Sequence, residues 1–272
     1  MGIFKQFYRK LTITKHSKFK ENESDELHRL TRLPRFTVGY TNIFSKPFKF
    51  HDAPSFLATY RELFVDELYK FNPKVNGGGI ILDCGANMGL SVLYFSSNYP
   101  DHEIIAFEPE EAIFKVLEEN VKTFGLKNVR LYQKAVWTKE ETLTFHSDGG
   151  MGGRVNNVYK KSDQPIKKVE TVILKDYLSD KVDFLKIDIE GAEVEVLKAC
   201  RGHLGQVQHL FFEYHNHIHQ PQTLHELLAQ MQEEGFKYHI KESSARRKPF
   251  VDKNMLCENF DMAITIFCYK NN

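Results

Sequence analysis

The chain lacks the features that most quickly define several protein classes. Its four cysteines (Cys84, Cys200, Cys257 and Cys268) include no CxxC pair, which excludes the usual zinc-knuckle spacing. Cys84 and Cys268 lie in apolar runs and read as reduced, buried, structural residues. No stretch approaches the roughly 20 apolar residues that a membrane helix requires. The start, MGIFKQFYRKL, has no apolar core of the kind a secretory leader carries, and Gln6 stands where a myristoylation signal needs Ser or Thr. The expected location is therefore the cytoplasm. There is also little excess charge: 37 basic residues face 36 acidic ones, for a net +1. A protein that holds nucleic acid usually presents a basic face, so a nucleic-acid partner is not expected.

What is present suits one globular domain with an N-terminal addition. Hydrophobic residues make up 42% and charged residues 27% of 272, enough apolar surface for an ordinary core. The first 20 residues are basic, with Lys5, Arg9, Lys10, Lys15, Lys18 and Lys20. Ile3, Phe4, Phe7, Tyr8 and Leu11 fall at helical spacing. A segment this short is expected to dock on its own domain or fray rather than hold a membrane. Residues 53–71 carry Phe56, Leu57, Tyr60, Leu63, Phe64 and Leu68 at helical spacing, with Pro54 near the start. The helix should stop before Asn72-Pro73. We divide the chain into a helical extension, 1–75, and a main domain, 76–272.

From residue 80 onward, strand and helix patterns alternate. Strands are expected at 80–82, 104–107, 129–132 running on toward Trp137, 182–187, 210–214, 236–240 and 262–268. Helices are expected at 90–98, 110–124, 191–201 and 222–235. Residues 142–146 and 168–173 should form a hairpin around the glycine-rich loop 149–153, where Arg154 is a candidate grip for an anionic group. Repeated βα units imply an α/β, doubly wound, mostly parallel sheet.

In such a sheet, ligands bind beyond the carboxyl ends of strands at the point where strand order reverses. The first strand runs into Asp83-Cys84-Gly85-Ala86-Asn87-Met88-Gly89. Glycines there let backbone approach a ligand. The spacing is G-x-x-x-G and not the G-x-G-x-x-G of dinucleotide folds. Asp83 would repel a diphosphate and attract an ammonium. Both features favour an amino-acid-bearing ligand such as S-adenosylmethionine over NAD. Glu108, at the end of the second strand, is placed to accept from ribose hydroxyls. Backbone at Ala135 lies at the level of an adenine edge. The candidate donor-binding residues are Asp83, Gly85, Asn87, Gly89, Glu108 and Ala135. Trp137 reads as core.

These residues resemble the FkbM family of class I methyltransferases. The likeness is carried by DCGANMG at 83–89, FEPE at 107–110, KAVW at 134–137, KIDIEGAE at 186–193 and FEYH at 212–215, and it spans residues 75 to 268. It implies a Rossmann-like sheet of seven strands, S-adenosyl-L-methionine as cofactor, and an oxygen acceptor on a small molecule, secondary metabolite or glycan.

On the acceptor side, Asp188 closes the strand that would face the methyl group, and it is the first candidate for general base. Lys186 points the same way by alternation. Glu213 and His215 share a side of the next strand end, and the His215 imidazole titrates near neutral pH. Asp188 could instead orient substrate or hold a divalent cation with Glu190 or Glu213. A carboxylate pair is no metal signature by itself, so no metal site is expected. Glu190 is a candidate helix N-terminal charge. The run His215-x-His217-x-His219 reads as a polar loop. Two alternatives stay open at this stage: an NAD-dependent oxidoreductase, and a non-catalytic binding or assembly protein that keeps the fold.

Overall fold

A computed structural model describes residues 21–74, 78–146, 154–155, 166–178, 182–217, 219–241, 251 and 260–270. The basic segment 1–20, the glycine loop 149–153 and Cys257 lie outside the described residues, as does the Arg154 side chain.

The chain begins with helix α1 (Glu21–Thr31) and a short hairpin, β1 (Gly39–Thr41) with β2 (Phe48–Phe50). Helix α2 (Ala53–Tyr60) follows. Asp52 caps it, accepting from the Ser55 amide at 3.2 Å and the Ser55 hydroxyl at 2.5 Å, and Pro54 opens its first turn. The α-helical register stops at Tyr60. Arg61–Val65 form a π-turn, with the Asp66 amide donating to the Arg61 carbonyl at 2.8 Å. The helix expected to reach residue 71 is therefore shorter and rotated at its end, because one extra residue enters the turn.

The main sheet contains β3 (Ile80–Cys84), β4 (Glu103–Phe107), β5 (Val129–Tyr132), β10 (Val182–Ile187), β11 (His209–His217), β12 (Lys237–Lys241) and β13 (Phe260–Tyr269). Their order is β12-β13-β11-β10-β3-β4-β5. β13 runs antiparallel to both neighbours, and the other pairs along the sheet are parallel. This is the expected doubly wound, seven-stranded architecture. Strand order reverses between β3 and β10, which fixes where a crevice opens. All six residues of β10 are buried, as a central parallel strand covered on both faces requires. Its two ionisable side chains are paired: His102 Nε2 lies 2.8 Å from Asp183, and Lys186 meets the acidic groups described below.

Helices α3 (Leu90–Asn98), α4 (Glu111–Phe124), α5 (Glu193–Ala199) and α6 (Leu224–Glu233) connect these strands. α4 buries Ile113, Phe114, Val116 and Leu117 on one face and ends at Gly125 in the left-handed conformation. A second sheet, ordered β6-β9-β7-β8, contains β6 (Ala135–Trp137), β7 (Thr142–His146), β8 (Arg154–Val155) and β9 (Ile166–Ile173). β7 and β9 pair antiparallel, as the hairpin reading required. The strand expected to run on from residue 129 breaks at Gln133-Lys134, and β6 joins β9 rather than β4.

The N-terminal segment is not helical throughout, because β1 and β2 lie within it. Its described residues do not form a separate core. Leu30, Phe48, Phe50, Phe56 and Leu63 share one apolar cluster with Val92, Phe95, Val116 and Leu117. Asn120 on α4 ties the hairpin down: its amide donates to the carbonyls of Lys49 at 2.8 Å and Met88 at 2.9 Å, and its oxygen accepts from the Lys49 amide at 2.8 Å. Among the described residues Cys84, Cys200 and Cys268 are free thiols, all buried. No helix of the described residues is long and apolar enough to cross a membrane.

Candidate active site

The crevice predicted at the switch point is present. Its wall includes Gly85, Ala86, Asn87 and Met88 after β3, Glu108 and Glu110 after β4, Lys134 and Ala135 entering β6, Asp188 and Glu190 after β10, and Glu213 on β11. The N-terminal segment closes one side with Ala58, Thr59, Glu62 and Tyr69.

The glycine turn is held from both neighbours. The amides of Gly85 and Ala86 donate to the Phe107 carbonyl at 3.0 and 2.9 Å. The Asp188 amide donates to the Cys84 carbonyl at 3.1 Å. Gly85 has φ +89°, and a Cβ there would lie 2.0 Å from the Asp188 carbonyl oxygen. Only glycine admits so close a crossing of the two loops. Asn87 also takes a left-handed conformation, φ +50°, and Gly89 at φ +91° starts α3.

Glu108 is buried at the crevice wall. Its two oxygens accept from the Asn87 amide at 3.0 Å and the Glu110 amide at 2.9 Å. Burial outweighs these bonds and pushes its pKa up to about 7. Each oxygen keeps a lone pair for a further donor, the requirement for binding a vicinal diol.

Asp83 is not on the crevice wall. Its carboxylate is fully buried, accepting from the Ser91 hydroxyl at 2.5 Å and lying 3.4 Å from Lys186 Nζ. The expected direct contact with a ligand ammonium is replaced by contact with a lysine. Lys186 also donates to the Gly85 carbonyl at 2.8 Å and sits 3.5 Å from Asp188. Burial opposes its charge, but Asp188 and Asp83 together hold its pKa above the usual value. Gly89 likewise lies behind the wall. Trp137 does not line the crevice, and its indole donates to Glu141 at 3.1 Å.

The residues expected on the acceptor side converge. One donor atom from each of Asp188, Glu213 and His215 lies within 4.8 Å of the others. Burial, then the Asp188 charge, pushes Glu213 up to about 7. Burial works against a charge on His215, yet Glu190, Glu193 and Glu213 together raise its pKa well above the usual value. His215 Nδ1 faces Glu193 at 3.2 Å, and Nε2 lies 3.5 Å from Glu213 and 3.8 Å from Glu190. Glu190 does not begin a helix: with φ +56° it precedes Gly191 in a turn, and Glu193 caps that turn by accepting from the amides of Ile189 and Gly191. The histidine run is not a loop at its start, because β11 continues through His217. His219 is exposed.

Glu62, Tyr69 and Lys186 complete the site and are not among the expected site residues. Lys186 is legible from strand alternation with Asp188. Glu62 is not, because its place on the wall depends on the π-turn. Burial and then Asp188 push its pKa up to about 7.

A doubly wound sheet of this order, with a glycine turn and a buried acid at successive strand ends, opens its crevice at the switch point, where ligands of such sheets bind. Residues 83–238, more than half of the chain, match the family described as the methyltransferase FkbM domain, and the chain belongs to that family. It is 30% identical over 162 residues to "Methyltransferase 1" of Beauveria bassiana, covering 51% of this chain and 65% of that one. It is 26% identical to the 2-O-methyltransferase NoeI of Sinorhizobium fredii, covering 50% and 63%. It is 25% identical to the 31-O-demethyl-FK506 methyltransferase FkbM of Streptomyces tacrolimicus, covering 51% and 66%. These matches span just under two thirds of the relatives' own lengths. A solved FkbM methyltransferase from Methylobacillus flagellatus superimposes with a TM-score of 0.45 at 12% identity, covering 80% of this chain and 53% of that one.

Proposed function

We propose that this chain transfers the methyl group of S-adenosylmethionine to a hydroxyl oxygen of a small molecule, secondary metabolite or glycan. The observation that carries the reading is the buried Glu108 carboxylate, which is bonded to the Asn87 amide of the glycine turn and lines the switch-point crevice beside it. The FkbM relatives whose names specify a 2-O- or 31-O-position support an oxygen acceptor.

Glu108 takes the ribose hydroxyls, and the Gly85–Met88 backbone lies against the amino-acid part. The Cβ-free approach at Gly85 fits that use. Asp83 acts one step removed, by holding Lys186 and Ser91. When bound, S-adenosylmethionine supplies an electrophilic methyl group on a sulfonium. The remaining work is alignment and removal of one proton. Among Asp188, Glu213 and His215, Glu213 suits proton acceptance best, since its pKa of about 7 leaves it substantially ionised near neutrality yet basic enough to act. His215 is held protonated and orients Glu213. Asp188, expected as the first base, is engaged with Lys186.

The test is calorimetric titration with S-adenosylhomocysteine, with NAD as control. Micromolar binding of the homocysteine compound alone is expected. Binding of NAD alone would overturn the donor assignment. Turnover of a hydroxylated acceptor then separates an enzyme from a binding protein that keeps the fold.

A further inference from the structure

We propose that Asp188, Glu213 and His215 form a binding site for one divalent transition-metal ion at the acceptor end of the crevice. The inference rests on the methyl-transfer reading and revises two parts of it: the group that handles the acceptor's proton, and the proton on His215, which the ion displaces from Nε2.

Three observations carry it. The first is convergence. Asp188 follows the end of β10 and Glu213 and His215 lie on the adjacent parallel strand β11, just past the point where Ile187 pairs with Phe212, and one donor atom from each lies within 4.8 Å of the others. Strand ends hold such groups more rigidly than loops do.

The second is the histidine. His215 is only 9% exposed, and its ring is fixed on two sides. Nδ1 is hydrogen-bonded to Glu193 at 3.2 Å, and the Phe260 ring lies over it with centroids 4.9 Å apart. Glu193 is itself anchored by the Ile189 and Gly191 amides. This leaves Nε2 directed at the carboxylates, 3.5 Å from Glu213 and without a hydrogen bond among the described residues. A buried imidazole backed by a carboxylate, with its other nitrogen free to donate a lone pair, is how a metal-ligating histidine is oriented.

The third is charge. Glu62 and Glu190 line the same crevice as Asp188 and Glu213. Lys186, the cation on that wall nearest to Asp188, is shared with Asp83 and the Gly85 carbonyl. Two carboxylates and one imidazole suit Mn²⁺, Fe²⁺, Co²⁺ or Zn²⁺ better than the all-oxygen shells of Ca²⁺ or Mg²⁺. Three protein ligands leave coordination positions free on the crevice side. An acceptor hydroxyl beside the ion has its pKa lowered and loses its proton to bulk water, while Glu213 serves as a ligand.

The experiment is titration of the full chain with Mn²⁺, followed by electron paramagnetic resonance, with and without S-adenosylhomocysteine. One ion per chain is expected. Glu213→Gln and His215→Gln should each weaken Mn²⁺ at least about 10-fold, and Glu193→Gln about 10- to 100-fold, as supporting residues do. Glu213 is partly exposed, so Glu213→Gln keeps the test valid if the buried His215→Gln variant does not fold. S-adenosylhomocysteine affinity should change little in Glu213→Gln. Absence of Mn²⁺ binding up to millimolar concentration overturns the ion site; a proton on His215 is then what balances the cluster. Equal binding by wild type and all variants overturns its location. Loss of Mn²⁺ binding alone leaves the donor reading intact. Mn²⁺ binding without S-adenosylhomocysteine binding leaves the ion site standing and removes the donor reading.

Discussion

Donor affinity should depend on pH through Glu108, and the size of the effect follows from its surroundings. The carboxylate is buried and its pKa in the free protein is about 7. Ribose hydroxyls donate to a carboxylate, so the ionised form is the binding form. At pH 6 about one chain in ten is ionised at this position, and at pH 8 about nine in ten. Apparent affinity for S-adenosylhomocysteine should therefore tighten about tenfold from pH 6 to pH 8. The sign for folding is opposite. A carboxyl whose folded pKa is raised stabilises the fold fully below the unfolded value of 4.5 and loses that contribution as pH rises through about 7. The burial cost at pH 8 is about 3 kcal/mol at most. Glu108→Gln removes this pH dependence, but its single carbonyl oxygen leaves either the Asn87 or the Glu110 amide without its present partner. Donor affinity should fall about 10- to 100-fold at pH 8, corresponding to the loss of charge-assisted hydrogen bonds of about 1.5–3 kcal/mol. It should also become flat with pH. Isothermal titration at several pH values, in buffers of matched ionic strength, measures both. A Glu108→Gln protein that binds within twofold of wild type, or a wild type whose affinity is the same at pH 6 and pH 8, would refute the placement of the ribose on Glu108.

Gly85→Ala should destabilise the fold by several kcal/mol, since it combines φ +89° with a Cβ 2.0 Å from a backbone oxygen; an unchanged urea midpoint would contradict so close a crossing of the two loops. Asn120→Ala should cost about 1–3 kcal/mol, because the Lys49 amide loses its acceptor in a part-buried setting, and hydrogen exchange should rise at β2 before the main sheet; uniform exchange across both would show that the hairpin is not held through Asn120. Glu213→Gln should lower turnover about 100-fold or more with donor affinity little changed; a loss confined to donor binding would move Glu213 out of the acceptor end.

Periodicity is informative wherever one period covers a whole element. The runs at 103–107 and 182–187 are strands buried on both faces, and α4 shows a continuous apolar stripe closed by Gly125. Pattern fails where register changes within an element. The π-turn at 61–65 carries no separate signature in the residues Arg61-Glu62-Leu63-Phe64-Val65, yet it decides that Glu62 joins the crevice. Three-residue strands such as β1 and β2 are too short to show alternation, so the hairpin they form reads as part of a helical extension. The break at Gln133-Lys134 is hidden because β5 and β6 are both strands and differ only in their partners. Among the residues lining the crevice, Glu108, Gly85 and Ala135 follow from strand ends and topology alone. The role of Asp83 does not, because facing the ligand and facing a lysine require the same residue at the same position.

That lysine explains why the two halves of the crevice keep a fixed relation. Lys186 belongs to β10, and it reaches across the sheet to Asp83 at the end of β3 and to the Gly85 carbonyl in the turn that follows. Its ammonium is almost fully buried, so its charge persists only because acidic groups on both sides surround it. Removing either carboxylate leaves the buried ammonium with one acidic partner instead of two. The glycine turn and the Asp188 loop are thus coupled by one side chain as well as by the backbone crossing at Gly85. The proposed methyl transfer, which has to align a donor carbon with an acceptor oxygen to about 0.5 Å, would depend on such coupling. Substitutions at Asp83 are therefore expected to disturb both halves of the site, although Asp83 does not line the crevice.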